Sequence, residues 1–161
     1  MNSTAQLFAR TGCAERKCCW FIGTAFAILT FLVLLFTTPE IGVTWDEPIY
    51  NTTAEAAARW LGLIVRGQLA EAFDPFVFGV SWGLMNEHPP LMRVVNGLGW
   101  VLTRHILPVP VSHRFGALML AALTTGILVA AVARRRGVMI GLFTGAALLT
   151  MPRVFFHAHL A

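Results

Sequence analysis

Long uncharged stretches alternate with polar, helix-patterned segments along this chain. The first uncharged stretch, from Trp20 to Thr38, has 19 residues, close to the ~20 that cross a ~30 Å hydrocarbon core as a helix. A second stretch runs from Phe115 to Ala133, and a third, from Val138 to about Phe156, follows a break of three arginines and a glycine. The pattern predicts a spanning helix at 20–38 and a spanning helical hairpin within 113–161.

Two segments between these stretches carry apolar residues at helical spacing on one side only. One opens with Thr52-Thr53-Ala54-Glu55, which fits a capping box and predicts a helix over about 53–72. The other, 91–107, has Arg93, Asn96, Gly97 and Arg104 on the side opposite its apolar stripe. A spanning helix would bury Arg93 at a considerable cost unless it were paired, so we predict a helix lying in the membrane interface. The aromatic and glycine-rich stretch 74–87 between them is predicted to be a re-entrant or surface-resting connector.

Arginine and lysine positions predict the orientation of the spans. Basic residues collect on the cytoplasmic side of membrane proteins, and here they precede the first stretch and fill the turn of the hairpin, at Arg134, Arg135 and Arg136. We therefore expect an all-α integral membrane chain with about three transmembrane helices. Residues 1–19 are predicted to be cytoplasmic, 20–38 a span, 39–112 an extracytoplasmic loop with two juxtamembrane amphipathic helices, and 113–161 the hairpin.

Composition agrees with a membrane chain and argues against two other classes. The sequence has 161 residues, of which 57% are hydrophobic and 12% charged, whereas soluble domains have roughly 45–50% apolar residues. The net charge of +4 lies beside the apolar stretches rather than on a solvated face, so it does not indicate a nucleic-acid partner. The cysteines Cys13, Cys18 and Cys19 fall on the predicted cytoplasmic side, where no disulfide framework is expected.

The first candidate for chemistry is the carboxylate pair Asp46-Glu47, a few residues beyond the first span and directly after Trp45. A carboxylate at a membrane surface can act as the base for a hydroxyl group. The alternative is a solvated acidic pair beside a helix, which the dipeptide alone does not exclude.

Three further candidates are expected on the same side of the membrane. His88, followed by Pro89-Pro90, lies just ahead of a predicted helix start, where anions are favoured, although a solvated histidine in a capped turn is the alternative. Arg114 is either an interface anchor or a phosphate ligand.

Arg153 and His157 end the third stretch. His157 and His159 face different ways on a helix, so a divalent metal would need further ligands such as Glu47 or His88, and we leave a metal open.

The order of these features resembles a known superfamily. A span, then Trp45-Asp46-Glu47, then His88-Pro89-Pro90 opening an amphipathic segment, then Arg114, a basic turn and a third span resemble the dolichyl-phosphate-mannose protein mannosyltransferases. The chain is also similar to the bacterial lipid A aminoarabinose transferases and other GT-C glycosyltransferases. The resemblance covers about residues 20–161. It implies the amino-terminal part of a GT-C bundle, in the plasma, inner or endoplasmic reticulum membrane.

The resemblance also implies an activity. A GT-C enzyme of this kind transfers a hexose or pentose from a polyprenyl-phosphate donor to an extracytoplasmic protein, lipid or glycan acceptor, with inversion at the anomeric carbon. Asp46 would be the base or orient the acceptor, Glu47 would support it, and His88, Arg114, Arg153 and His157 would bind donor phosphate or acceptor. Members of the superfamily are longer, with many more spans. We therefore expect a truncated amino-terminal fragment and separate the activity of the family from that of this polypeptide.

Two other classes remain as alternatives. A noncatalytic small membrane protein, such as an assembly or transport subunit, predicts that amides replace Asp46 and Glu47 without effect. Half of a polytopic transporter predicts that Arg93 lies inside a span and faces a polar pathway. Soluble enzyme classes are disfavoured because the sequence has no phosphate-binding glycine loop.

Overall fold

A computed structural model describes residues 3–83 and 90–159, and residues 3–16 through their backbone alone. Within these ranges the chain is helical and has no β-strand, which confirms the all-α prediction. A single 3₁₀ turn, Thr38–Glu40, accompanies eight α-helices: α1 Ser3–Thr37, α2 Glu47–Val65, α3 Leu69–Ala72, α4 Pro75–Trp82, α5 Pro90–Thr103, α6 Val111–Arg136, α7 Val138–Thr150 and α8 Pro152–His157.

Two helices of the described chain are long and apolar enough to cross a membrane. They are Lys17–Glu40, which contains the apolar part of α1, and Val111–Arg136, which is α6. Both coincide with uncharged stretches of the sequence. Large apolar side chains on their surfaces are exposed to the surroundings, among them Phe21, Phe36 and Ile127. Exposed apolar faces of this size are expected where the surroundings are lipid.

The third predicted stretch does not form one continuous helix. α7 has 13 residues and ends at Thr150, and Met151 adopts an extended backbone conformation with φ −71° and ψ 113°. A residue that precedes proline is driven out of the helical region, and Pro152 then starts the short helix α8. At 1.5 Å per residue α7 is about 20 Å long, shorter than the ~30 Å hydrocarbon core.

The described chain divides into two compact units. The first comprises Met1–Leu34 and Met119–Ala158, and its helices approach closely at small residues. A Cβ atom added at Gly23 of α1 would lie 2.6 Å from the carbonyl oxygen of Gly126 in α6, and one added at Gly141 of α7 would lie 2.8 Å from Ala133 Cβ. Glycine at such contacts lets helix backbones pack directly, as is common in membrane proteins. Gly137, with φ +98°, makes the turn between α6 and α7.

The second unit comprises Leu35–Leu118 and His159–Ala161 and contains the whole predicted loop. Here α2 packs against α4 and α5. Trp60 of α2 lies at the centre of a ring cluster, with edge-on contacts to Phe73, Phe78 and Trp82 at centroid distances of 6.0, 6.2 and 5.3 Å. The Asp74 carboxylate caps α4 by accepting hydrogen bonds from the backbone N–H groups of Phe76 and Val77. This cluster holds the segment predicted as a connector in a helical form.

α2 corrects the predicted boundaries of the first juxtamembrane helix. It begins at Glu47, six residues before the predicted start, and ends at Val65. Proline is preorganised for the first helical turn, and Pro48 occupies that position. The hydroxyl of Thr52 therefore lies inside the helix and donates to the carbonyl oxygen of Pro48 at 2.9 Å. The predicted capping box is wrong. Gly67, with φ +72°, ends the helix before α3.

α5 confirms the helix predicted over 91–107, although it ends at Thr103, and its polar side is buried rather than exposed. The polar side of α5 is packed inward: Arg93 is 5% exposed and Asn96 2%. The apolar side faces outward, with Leu102 71% exposed and Leu91 and Leu98 also exposed. A helix lying in the membrane interface would turn Arg93 toward water, whereas here it is buried. Gly97 and Gly99 bring the polar side of α5 against the backbone of neighbouring helices, and this packing explains the difference. Such an arrangement suits an apolar environment outside the helix.

Candidate functional site

A buried ion pair joins the start of α2 to the start of α6. The Arg114 Nε donates to Glu47 Oε1 at 2.5 Å, and Arg114 Nη2 donates to Glu47 Oε2 at 2.7 Å. The two side chains are 0% and 1% exposed. Two parallel N–H to carboxylate hydrogen bonds are the strongest geometry available to an arginine. Both residues are candidates from the sequence, but their pairing is visible only in the structure.

The rest of the Arg114 guanidinium binds the segment between α1 and α2. Its Nη1 donates to the carbonyl oxygens of Thr38 at 3.3 Å and Ile41 at 2.9 Å, and its Nη2 donates to that of Gly42 at 2.9 Å. The Glu47 carboxylate in turn accepts from the backbone N–H of Thr44 at 3.1 Å. An arginine has five N–H donors, and these contacts use all of them. Arg114 therefore holds residues 38–44 in place, and none of its donors is left for a phosphate.

Asp46 lies immediately before α2, on the segment that the ion pair fixes. Its carbonyl oxygen accepts the backbone N–H groups of Ile49 and Tyr50. Its carboxylate, however, makes no capping hydrogen bond, and the side chain is partly exposed. The neighbouring Trp45 is 93% exposed. The two adjacent carboxylates thus differ: Glu47 is buried and paired, whereas Asp46 is accessible and available to a ligand.

A second polar contact in the same unit involves His113, the residue before Arg114. His113 Nε2 lies 3.0 Å from Glu55 Oε1, and Arg59 Nη1 lies 3.5 Å from the other oxygen of Glu55. The imidazole stacks on Trp100 with ring centroids 5.8 Å apart. Glu55, which the sequence pattern placed in a capping box, therefore links α2 to α6. The i, i+4 spacing to Arg59 was visible in the sequence, but the distant histidine partner was not.

Arg93 is a buried cation whose importance sequence reasoning missed. Its Nη1 donates to the carbonyl oxygen of Trp82 at 3.4 Å, but its Nε and Nη2 have no hydrogen-bond partner among the described residues. Asn96 Oδ1, one turn further along α5, and Trp82 Nε1 are also buried and unpaired. Buried donors without partners are costly. A site of this kind can accept an anion. The signal in the sequence was an arginine and an asparagine three residues apart on a glycine-containing helix face.

The remaining predicted site residues are placed as follows. Arg153 and His157 are exposed on α8, in the first unit rather than with Glu47 and Arg114. His88 lies outside the described residues. His159 is fully buried, and its Nε2 lies 2.8 Å from the Thr37 hydroxyl. Among the residues that the structure describes, no group of three or more His, Cys, Asp or Glu side chains is arranged to hold a metal ion.

No protein-family model matches the chain, and no curated protein and no solved structure gives a significant match. The functional argument therefore depends on the geometry of the residues themselves.

Proposed function

We propose that this chain is the amino-terminal part of a membrane glycosyltransferase that moves a sugar from a polyprenyl-phosphate donor to an extracytoplasmic acceptor. The observation that supports this most is that the two adjacent carboxylates have different environments. Glu47 is closed into an ion pair with Arg114, and Asp46 beside it is accessible and uncapped. Asp46 would then orient the acceptor hydroxyl and take its proton as the carbon–oxygen bond forms.

The leaving group of this reaction is a lipid phosphate, and its departure requires nearby cations. Arg114 has no open donor, so we assign it a positioning role: it holds Glu47 and the segment on which Asp46 lies. Arg93 is the better candidate for the phosphate, because its Nε and Nη2 are buried and unpaired. His88, Arg153 and His157 remain proposed ligands of donor or acceptor from the sequence resemblance.

The membrane setting of the proposal has its own support. The exposed apolar side of α5, the fully accessible Trp45 and the two candidate spans suit a site at a lipid surface, where a polyprenyl donor would be found. We propose that the amino terminus is cytoplasmic, that residues 39–112 face the extracytoplasmic side, and that α7 and α8 together contribute a third membrane-embedded segment of a GT-C bundle.

The catalytic part of the proposal is tested with the isosteric variant Asp46→Asn. We expect transfer to fall by about 100-fold, since losing a positioned base typically costs 10²–10⁴-fold in rate. The full chain is reconstituted in liposomes with polyprenyl-phosphate-[¹⁴C]mannose or the corresponding aminoarabinose donor and a membrane fraction as acceptor, and label transfer is counted. Glu40→Gln is the matched control, because Glu40 is exposed nearby on the same segment.

Two results would count against this proposal. Transfer by Asp46→Asn equal to that of Glu40→Gln would remove Asp46 from the chemistry. Absence of transfer by the unaltered chain with both donors would mean that this polypeptide does not catalyse the reaction itself. That result would favour a noncatalytic membrane subunit.

The proposed topology is tested by cysteine labelling. Cys13, Cys18 and Cys19 are replaced by serine, and a single cysteine is introduced as Gly42→Cys or Arg135→Cys. A Cβ at Gly42 meets no atom within 4 Å, and Arg135 is exposed at the end of α6. In intact cells a membrane-impermeant maleimide should label position 42, and position 135 only after permeabilisation. Labelling of position 135 from outside would refute the orientation and favour the transporter alternative.

A further inference from the structure

The second unit contains a cavity of about 560 Å³ between α2, α3, α4 and α5. Its lining includes three arginines: Arg59 of α2, Arg66 directly after α2, and Arg104 directly after α5. We call this cavity the arginine groove. The arginine groove has no role in the proposed transfer reaction.

The arginines of the groove have spare hydrogen-bonding capacity. Arg66 donates through Nε to Gln68 Oε1 at 2.8 Å, and Arg104 donates through Nε to His105 Nε2 at 3.2 Å. Neither makes a further hydrogen bond to the residues described, so the terminal Nη groups of both remain open. The Arg104 guanidinium is held over the Trp100 ring, 4.7 Å from its centroid, a cation–π contact that fixes its position.

The charge of the groove is not balanced from within. The lining holds three guanidinium groups and one carboxylate, that of Glu71, and Glu71 Oε2 already accepts from Gln68 Nε2 at 3.0 Å. Arg59 approaches Glu55 only at 3.5 Å with its side chain 66% exposed. An exposed ion pair of this length contributes little. The groove is therefore complementary to an anion, and guanidinium groups suit phosphate.

The other wall of the groove is apolar. It includes Phe76, Val77 and Val80 of α4 and Val101 of α5, and Phe76, Val80 and Val101 are also exposed at the surface. The apolar wall thus continues into the outward-facing apolar side of α5. A free phosphate compound would leave this wall in contact with water. An anion that carries a hydrocarbon chain would cover the wall and satisfy the arginines together.

We propose that the arginine groove binds an anionic membrane phospholipid, with its phosphate among Arg59, Arg66 and Arg104 and an acyl chain along the apolar wall. Basic residues beside a membrane surface attract anionic lipid in this way. None of the three groove arginines belongs to the proposed transferase site, and Arg59 lies 13 residues beyond Asp46 along α2, which is about 20 Å at 1.5 Å per residue. The proposal therefore stands or falls independently of the catalytic one.

The test compares lipid retention by the full chain and by two charge-matched triple variants. Purified protein in neutral detergent is mixed with phosphatidylglycerol or phosphatidylcholine, and bound lipid is counted by native mass spectrometry. We expect the unaltered chain to retain phosphatidylglycerol preferentially. Arg59→Gln/Arg66→Gln/Arg104→Gln should weaken this binding by about 100-fold, since each basic residue contributes roughly fivefold. Arg134→Gln/Arg135→Gln/Arg136→Gln removes the same charge outside the groove and should lose clearly less binding than the groove variant.

Circular dichroism shows whether each variant keeps its helices. If the groove variant does not fold, Arg104→Gln alone replaces it, with an expected loss of about fivefold. Equal retention of the two lipids, or equal losses in both triple variants, would overturn the proposal. The soluble probe sn-glycerol 3-phosphate distinguishes the source of the phosphate. Competition as effective as that of phosphatidylglycerol would indicate a site for a soluble phosphate compound instead of a lipid.

Discussion

Replacing Arg114 by methionine will lower the free energy of unfolding by about 3–5 kcal/mol. The variant leaves the Glu47 carboxylate, which is 1% exposed, without its counter-charge in a buried position. It also leaves the carbonyl oxygens of Thr38, Ile41 and Gly42 without the donors that they have in the native chain. Methionine replaces the aliphatic stem of arginine but not its guanidinium, so it restores none of these hydrogen bonds.

The measurement is denaturant unfolding of the full chain in detergent, followed by circular dichroism. Arg134→Met is the control, because Arg134 is exposed in the last turn of α6 and surface substitutions usually change stability by less than about 0.5 kcal/mol. The double variant Glu47→Gln/Arg114→Met should recover part of the loss, since it removes the uncompensated charge. An Arg114→Met variant as stable as Arg134→Met would contradict the inference that the pair holds this unit together.

The second large effect is expected from Gly116→Ala, which should cost about 3 kcal/mol. A Cβ added at Gly116 of α6 would overlap the carbonyl oxygen of Val95, with Asn96 N 2.8 Å away. These are backbone atoms of α5, so no side chain can rotate aside. α5 would have to move away from α6, and overpacking that shifts backbone costs 1–3 kcal/mol or more.

Gly79→Ala is the matched control for this prediction. Gly79 is also helical, in α4, but a Cβ there meets nothing within 4 Å. Because alanine favours the helix over glycine, this variant should gain roughly 0.5–1 kcal/mol. Both variants are compared by denaturant unfolding under the same conditions. If the two changes have the same sign, the close contact between α5 and α6 is not present in the molecule.

Much of the fold could be predicted from hydrophobic patterning. Spanning helices appear in the sequence as long uncharged stretches, and amphipathic helices appear as apolar residues at helical spacing. The two longest apolar helices and α5 were located in this way. The start of α2 was misplaced because Thr52-Thr53-Ala54-Glu55 resembles a capping box, whereas the helix begins six residues before Thr53, at Glu47, with Pro48 in its first turn. The third stretch was predicted as one long helix, but Pro152 interrupts it. Counting uncharged residues does not take a proline into account.

The site was less predictable, because it depends on contacts between distant residues. Glu47 and Arg114 were each identified as candidates, yet they are 67 positions apart, and no spacing rule connects them. The hydrophobic pattern also could not predict which side of α5 packs inward. A hydrophobic stripe shows which residues share a face, but it does not show whether protein or lipid covers that face. Arg93 was accordingly expected in water, whereas glycine contacts bury it.

The separation between Glu47 and Arg114 has a consequence for biosynthesis. Ribosomes add about 5–20 residues per second, so Arg114 emerges roughly 3–13 s after the carboxylate with which it pairs. During that interval Glu47 has no counter-charge and residues 38–44 have no anchor. The surroundings of Asp46 are therefore completed only when the start of α6 has been synthesised and has packed against α2. Synthesis of α6 is thus a maturation step for the segment that precedes α2.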